Sequence, residues 1–424
     1  MMQLLVPRQH VEWTESIQQC LLVAKQHGFA TDTVTLGVSP MSCFQLQAEN
    51  SSLMVTSDLI ADVECCNSTV DLNLRYNHEY CVDSLSKKAK RTIIPTSNIY
   101  IGLDDNDGLL DFWQHQGETR ALQYPSRFNR SPTLHLAWVL TLLSLEFPIE
   151  DALTFARAQL NVSRETWAND FYDFPIPLLE DERLGVKVGW AANACETTFP
   201  TINKQELGLY PVVDCVEWIE KLLEIGITTT QLRIKDPQTP DLEAQIARAI
   251  ELGKQYSAQV FINDYWQIAI KYGAYGVHLG QEDIEESNLT QLANAGICLG
   301  LSTHGYYELL RIIQINPSYI ALGHIFPTTT KQMPSKPQGL VRLAHYQKLI
   351  DSIPYNETQL SGYPTVAIGG IDLGNAQQVW DCGVSSLAVV RAMTLTSNPR
   401  EVKAEFDLIM QPTLVANQEL CDVE

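Results

Sequence analysis

From Gly208 onward, short apolar runs alternate with amphipathic segments of about 10–15 residues, the signature of repeated strand–helix units. Eight runs read as strands: Leu209–Val213, Thr230–Ile234, Gln259–Ile262, Gly276–Leu279, Cys298–Leu301, Tyr319–Leu322, Thr365–Ile368 and Leu387–Val390. Helical segments follow most of them, such as Asp241–Tyr256 and Tyr306–Gln314. This alternation predicts a parallel sheet with right-handed crossovers, closed as a (β/α)8 barrel of the TIM type. A doubly wound open sheet is the architectural alternative, but the Gly-rich loop that it usually carries after its first strand is missing.

Before Gly208 the pattern is less regular. Two helices stand out, Leu134–Ser144 and Ile149–Leu160, with Pro148 at the start of the second, where its missing N–H costs least. The run Asp104-Asp105-Asn106-Asp107-Gly108 lacks the spacing and closing Glu of a calcium loop and reads as a solvated turn. The expected organisation is an α/β domain over residues 1–190 with no role assigned, a linker over 191–207, and the barrel over 208–415.

Composition narrows the class. Of 424 residues, 45% are hydrophobic and 19% charged, which suits large globular cores. A net charge of −21 argues against a general nucleic-acid binder. It does not exclude anionic substrates, since a few cations focused in one pocket outweigh a diffuse surface field. The ten cysteines form no Cys-x-x-Cys pair, so a zinc cage is not expected. The apolar run Leu134–Phe147 is too short for a membrane span, and no signal peptide is recognisable, so a cytoplasmic protein with no membrane partner is expected. A homo-oligomer is compatible with the sequence, which does not specify the oligomeric state.

Chemistry in such barrels sits at the C-terminal strand ends. The second run ends Gln231-Leu232-Arg233-Ile234-Lys235, and alternation places Gln231, Arg233 and Lys235 on one face. Two cations there need anions to meet them, either acids inside the barrel or a ligand. The third run ends Asn263-Asp264, and the fourth is followed by Gly280-Gln281-Glu282-Asp283. Each motif alone also reads as a turn or a helix entrance. Together they bring two carboxylates beside the cations, a set that suits Mg2+ with phosphate oxygens and water. The fifth run ends Ser302-Thr303-His304, and the sixth leads into Gly323-His324-Ile325-Phe326-Pro327-Thr328-Thr329-Thr330-Lys331. Three hydroxyls and a Lys are good phosphate donors. Gly369-Gly370 follows the seventh run and Arg391 the eighth, where barrels of this kind commonly bind phosphate. His304 and His324 read equally as satisfied structural imidazoles. The pattern implies two anion sites in one mouth, suited to two phosphorylated ligands.

These motifs, in this order, resemble the thiamine phosphate synthases. The resemblance runs from about Leu209 to Met410, carried by QLRIK at Gln231, IND at Ile262, GVHLGQED at Gly276, LSTH at Leu301, GHIFPTTTK at Gly323, AIGGI at Ala367 and LAVVRAM at Leu387. It implies a transferase of thiamine biosynthesis that condenses a methylpyrimidine diphosphate with a thiazole phosphate and releases diphosphate. By this resemblance Gln231, Leu232, Arg233, Ile234, Lys235, Asn263, Ser302 and Lys331 bind the pyrimidine diphosphate. Arg233, Lys235 and Lys331 would stabilise the departing diphosphate. Asp264 and Asp283 match the Mg2+ ligands, and Thr328, Thr329, Thr330, Gly370, Val390 and Arg391 the thiazole phosphate site. Two positions depart from the family pattern. His324 stands where Pro is more common, and Arg391 where a small residue is usual.

Leu134–Gln159 resembles the last helices of the hydroxymethylpyrimidine phosphate kinases, which implies a ribokinase-like fold for the first half. That family's Gly-Thr-Gly-Cys or Gly-Thr-Gly-Asp turn is replaced here by Arg130-Ser131-Pro132-Thr133-Leu134, so the resemblance implies a degenerate kinase. Two further readings remain open at this point: a thiazole tautomerase-like barrel, and a non-catalytic regulator of the thiamine pathway.

Overall fold

The computed structural model describes residues 1–60, 70–77, 81–84, 95–106, 108–115, 117–188, 198–328, 336–355 and 362–411. Its first half is an α/β lobe. Nine strands, β1 (Met2–Pro7), β2 (Val34–Ser39), β3 (Phe44–Ala48), β4 (Ser51–Ser57), β5 (Leu72–Arg75), β6 (Asn98–Asp105), β7 (Gly108–His115), β8 (Glu118–Tyr124) and β9 (Ile176–Pro177), form one sheet in the order β2-β1-β3-β4-β5-β6-β7-β8-β9. It is mixed: β1/β2, β4/β5 and β5/β6 are parallel, and the other pairs antiparallel. The acidic run joins β6 to β7, with Asp105 opposite Gly108. Asp105 accepts two bonds from Arg183 (2.8 and 3.0 Å), which hold its carboxyl below the usual range. Arg183 lies between β10 (Glu180–Asp181) and β11 (Val186–Lys187), a small hairpin.

Strands β6 to β8 are covered on both faces. Tyr100, Leu110 and Phe112 meet Leu184 and Val186 from the hairpin side. Ile99, Ile101, Trp113 and Leu122 face the helices. Helix Pro132–Ser144 is apolar nearly all round, as a helix between two layers must be, and buries Leu136 to Leu140. Ser131 caps it, its Oγ accepting from Leu134 N–H (3.4 Å), with Pro132 in the first turn.

The second half is the predicted barrel. β12 (Leu209–Val213), β13 (Thr229–Leu232), β14 (Gln259–Asn263), β15 (Gly276–Leu279), β16 (Cys298–Thr303), β17 (Tyr319–Gly323), β18 (Thr365–Ile368) and β19 (Ser386–Val389) are parallel, and β19 pairs back onto β12. One strand is shorter than expected: β13 stops at Leu232, and only the N–H of Arg233 continues the ladder, to Val213 O (2.7 Å). Tyr210, Phe261 and Tyr319 fill the lower interior, the last two rings meeting edge-on at 5.1 Å. Ile202 and Leu207, from the stretch read as linker, pack against this layer. Alternate residues such as Val277 and Leu279 face the surrounding helices.

The two lobes share one buried core. Helix Ile149–Gln159 is buried from Glu150 to Gln159 because it packs between helix Pro132–Ser144 and barrel helix Tyr306–Ile312, with Arg157 bound to Asp111 of the sheet. Phe155, Trp167 and Tyr306 pack with ring centroids 4.2 and 5.1 Å apart, and Trp167 Nε1 donates to Tyr306 Oη (3.2 Å). His345 stacks on Phe29 from the opposite lobe (5.6 Å), and burial pulls its pKa down to about 4.

Candidate active site

The C-terminal strand ends surround a cavity of about 480 Å3. Every barrel strand contributes to its floor and walls: Val212 from β12, Gln231 from β13, Asn263 from β14, His278 from β15, Ser302 and Thr303 from β16, Ala321 and Gly323 from β17, Ile368 from β18 and Ala388 from β19. Arg233, Lys235, Asp264, Asp283, Thr328, Gly370, Val390 and Arg391 also line it. Leu232 and Ile234 do not. They are buried in the apolar shell outside the strands, because alternate residues of this segment turn away from the barrel axis. Thr329, Thr330 and Lys331 lie outside the described residues.

On one side of the mouth, cations and carboxylates interlock. Lys235 Nζ donates to Asp264 Oδ2 (2.6 Å). Asp264 follows β14 in the left-handed region (φ 65°), a conformation that Asp tolerates better than most residues. Burial raises its carboxyl above the ordinary range; Lys235 opposes this and neighbouring Asp283 adds to it. Asp283 is held in turn by the N–H of Gly280 (3.0 Å to Oδ2). Arg233 is half-buried, and that burial lowers its affinity for a proton against the pull of Asp264 and Asp283. Asn263 is 4% exposed and its Nδ2 has no hydrogen-bond partner among the described residues, so this donor faces the cavity ready for an acceptor.

Opposite lies the Gly369-Gly370 turn. Both residues have positive φ (108° and 67°), and both press against the segment after β17. A Cβ on Gly370 would sit 2.7 Å from Pro327 O, so only glycine allows this segment, which carries Thr328, to close over the turn. His324 is buried at the cavity wall, and Arg391 opens the short helix Arg391–Thr394. His304 is bound by Glu308, Nδ1 lying 2.9 Å from Oε2, as the structural reading expects, yet it also lines the cavity. Among the described lining residues, the cations Arg233, Lys235 and Arg391 stand against Asp264, Asp283 and Asp372. These described lining residues balance in formal charge although the chain carries −21.

One group inside a quoted motif, His278 of GVHLGQED, was given no role by the sequence reading. His278 Nε2 lies 2.9 Å from Ser302 Oγ, and Nδ1 lies 2.7 Å from Tyr319 Oη. Tyr319 Oη is 2.8 Å from Tyr210 Oη, which accepts from Gln231 Nε2 (3.3 Å). This buried chain fixes Ser302 and Gln231 from beneath. Alternation carried the signal, since His278 falls between Val277 and Leu279, which face outward.

Comparison with known proteins concerns the barrel half of the chain. A family model described as thiamine monophosphate synthase matches residues 209–393. The thiamine-phosphate synthase of Serratia proteamaculans (strain 568) is 56% identical over 210 residues, 50% of this chain and 94% of the relative. That of Salmonella typhimurium is 55% identical over 209 residues, 49% of this chain and 93% of the relative. A solved thiamine phosphate pyrophosphorylase from Pyrococcus furiosus shares 28% identity, with 49% of this chain and 96% of that chain covered at a TM-score of 0.41. Half of this chain thus spans such relatives almost in full, and the N-terminal lobe is largely additional to them. No helix among the described residues is long and apolar enough to cross a membrane. With more than half of the aligned positions identical over nearly a whole relative, the chain belongs to the thiamine-phosphate synthase family of transferases.

Proposed function

We propose that the barrel joins a methylpyrimidine diphosphate to a thiazole phosphate, giving thiamine phosphate and free diphosphate. The observation that carries this reading is the division of one cavity into two unlike anion sites. One holds Arg233, Lys235, Asn263, Asp264 and Asp283; the other holds Thr328, Gly370 and Arg391. In the proposed reaction the pyrimidinyl C–O bond breaks, the electron pair leaves with the diphosphate, and the thiazole nitrogen supplies the pair for the new C–N bond. That nitrogen carries no proton, so no strong general base is needed.

Arg233 and Lys235 stabilise the charge growing on the departing diphosphate, and Lys331, outside the described residues, is assigned the same role. Asn263 and Ser302 orient that substrate, Ser302 being held by His278. Asp264 and Asp283 fit Mg2+, since two neighbouring carboxylates beside a phosphate site are what this ion prefers. When bound, the ion would neutralise part of the diphosphate charge. Thr328, with Thr329, Thr330, Gly370 and the Val390–Arg391 turn, holds the thiazole phosphate and supplies proximity. Arg391 adds positive charge at that end. We assign residues 1–190 to the N-terminal lobe, 191–207 to the connection and 208–415 to the barrel.

A barrel acting on the thiazole alone would have no use for the carboxylate–cation side of this mouth. Asp283→Asn separates the two readings. It should lower synthase turnover on the order of 100-fold and raise the Mg2+ concentration needed for half-maximal rate, as expected for loss of a metal ligand. Full activity in this variant would contradict the assignment of the diphosphate side.

A further inference from the structure

Half of the chain has no place in the reaction so far, yet one of its carboxylates reaches the residues that follow the cavity-lining end of β16. Asp151 lies on helix Ile149–Gln159 of the N-terminal lobe and is 3% exposed. Its Oδ1 accepts the N–H of Tyr307 (2.9 Å), a bond spanning 156 residues of sequence. It also sits directly against Gly305, where a Cβ would lie 2.0 Å from Asp151 Oδ2. Gly305 has φ −179°, extended backbone open to any residue. Glycine is therefore needed at this position for space and not for conformation. The preceding residues Ser302, Thr303 and His304 all line the cavity. Thr303 Oγ1 donates back to Gly305 O (3.2 Å), and Ser302 O is held by Gln281 Nε2 (2.6 Å). The carboxylate thus clamps the outer end of the same turn whose inner end presents Ser302.

We propose that Asp151 is a positioning residue supplied by the N-terminal lobe, holding the Ser302–His304 turn so that the barrel binds the pyrimidine diphosphate productively. The proposal rests on the synthase reading of the barrel. It gives the additional lobe a part in substrate binding. Without Asp151 the Tyr307 N–H is left buried without an acceptor, and a turn closed against Gly305 loses its outer support. A displacement of about 1 Å in a substrate-positioning group is enough to cost up to roughly 100-fold in rate. The thiazole phosphate side is carried by the segments after β17 to β19; β17 meets Ser302 and Thr303 through Ala321 and Leu322, below the segments that carry Thr328 and Gly370.

Protonation supplies a second signature. Burial lifts the Asp151 carboxyl to about 7; Glu150 on its own helix and Glu308 on the facing barrel helix add to the rise, while Arg342 and the Tyr307 N–H oppose it. Tyr306 and Tyr346 also face it. The unfolded carboxyl titrates near about 3.9, so between the two values the folded state binds more protons, and docking weakens as pH rises through about 7. Asn at this position mimics the protonated form and does not titrate.

The test measures steady-state kinetics of the full chain for both substrates. Asp151→Ala should lower kcat/KM for the pyrimidine diphosphate about tenfold and leave KM for the thiazole phosphate within about twofold. Asp151→Asn keeps an acceptor for Tyr307 and should stay within about threefold of wild type, without the wild-type decline from about pH 6 to about pH 8. Gly305→Ala should reproduce the Asp151→Ala defect by driving a methyl group into the carboxylate. The double variant Asp151→Ala/Gly305→Ala removes that collision and should be no worse than Asp151→Ala alone, about tenfold below wild type instead of the roughly hundredfold that additive losses give, a non-additive result expected of touching groups. The Gly305 pair decides the matter if Asp151→Ala does not fold. Unchanged kinetics in Asp151→Ala, equal loss for both substrates, or strict additivity in the double variant overturns the proposal. Absence of product from wild type would instead refute the synthase reading. Calorimetric affinity for inorganic diphosphate with Mg2+ then decides positioning: about tenfold weaker binding in Asp151→Ala supports it, and unchanged binding overturns it.

Discussion

Lys235→Ala should lower turnover on the order of 100-fold or more while leaving thermal stability nearly untouched, because a charge-stabilising donor is worth roughly 3–4 kcal/mol in a transition state. The structure separates the two effects. Lys235 is 49% exposed and pairs with Asp264 at 2.6 Å on the open side of the mouth, and exposed pairs of this kind contribute at most about 1 kcal/mol to folding. The ammonium is therefore placed for the ligand and not for the fold. Its partner Asp264 has burial and Asp283 raising its carboxyl and the Lys235 bond lowering it, so losing the lysine also disturbs the carboxylates assigned to Mg2+. Steady-state rates and a melting curve on the same preparation check both halves of the expectation. A loss under about threefold would contradict the role given to Lys235, since no charge-stabilising donor at the reacting centre is that dispensable.

The opposite pairing of effects is expected in the N-terminal lobe. Asp111 on β7 is fully buried and receives four donors: Arg157 Nε (3.1 Å) and Nη2 (3.0 Å), Tyr124 Oη (2.8 Å) and Gly102 N–H (2.8 Å). Arg157, from helix Ile149–Gln159, is itself 2% exposed, and its guanidinium lies 4.3 Å from the Tyr124 ring centroid. Asp111→Asn leaves this cation buried without a counter-charge, a change that typically costs about 3–5 kcal/mol. Because Arg157 shares its helix with Asp151, the loss should also loosen the attachment of the lobe to the barrel. Chemical denaturation of wild type and variant measures the difference, and a change below about 1 kcal/mol would show that the pair is not the lobe's electrostatic centre.

How much was readable in the sequence follows from the kind of burial each element experiences. Barrel strands such as Gln259–Asn263 and Tyr319–Gly323 are covered on both faces and read as short continuous apolar runs, so their number, order and approximate ends were legible. β13 was overextended because Ile234 continues the apolar alternation after the ladder has reached only Arg233 N–H. The nine-stranded sheet was not legible. β5 has four residues and β9 two, and the register of β6 on β7 shifts between Tyr100 and Leu103, breaking the period on which a strand reading depends. In the site, the charged strand ends announced themselves as motifs. His278 sits inside the GVHLGQED motif but drew no role, since a single histidine between two aliphatics does not by itself show what it touches. Asp151 was beyond reach for a different reason: its significance lies in a contact with Tyr307 and Gly305 across the lobe boundary, which no local spacing records.

A cavity with a leaving-group side and a positioning side must couple its two ligands, and product formation reads that coupling without an intermediary. The full-length protein is mixed with the methylpyrimidine diphosphate, the thiazole phosphate and Mg2+, and the mixture is followed for thiamine phosphate and released diphosphate. The two products are expected in equal amounts, with formation abolished when either substrate or Mg2+ is withheld. Well-folded protein at high concentration that releases neither product would contradict the two-sided cavity.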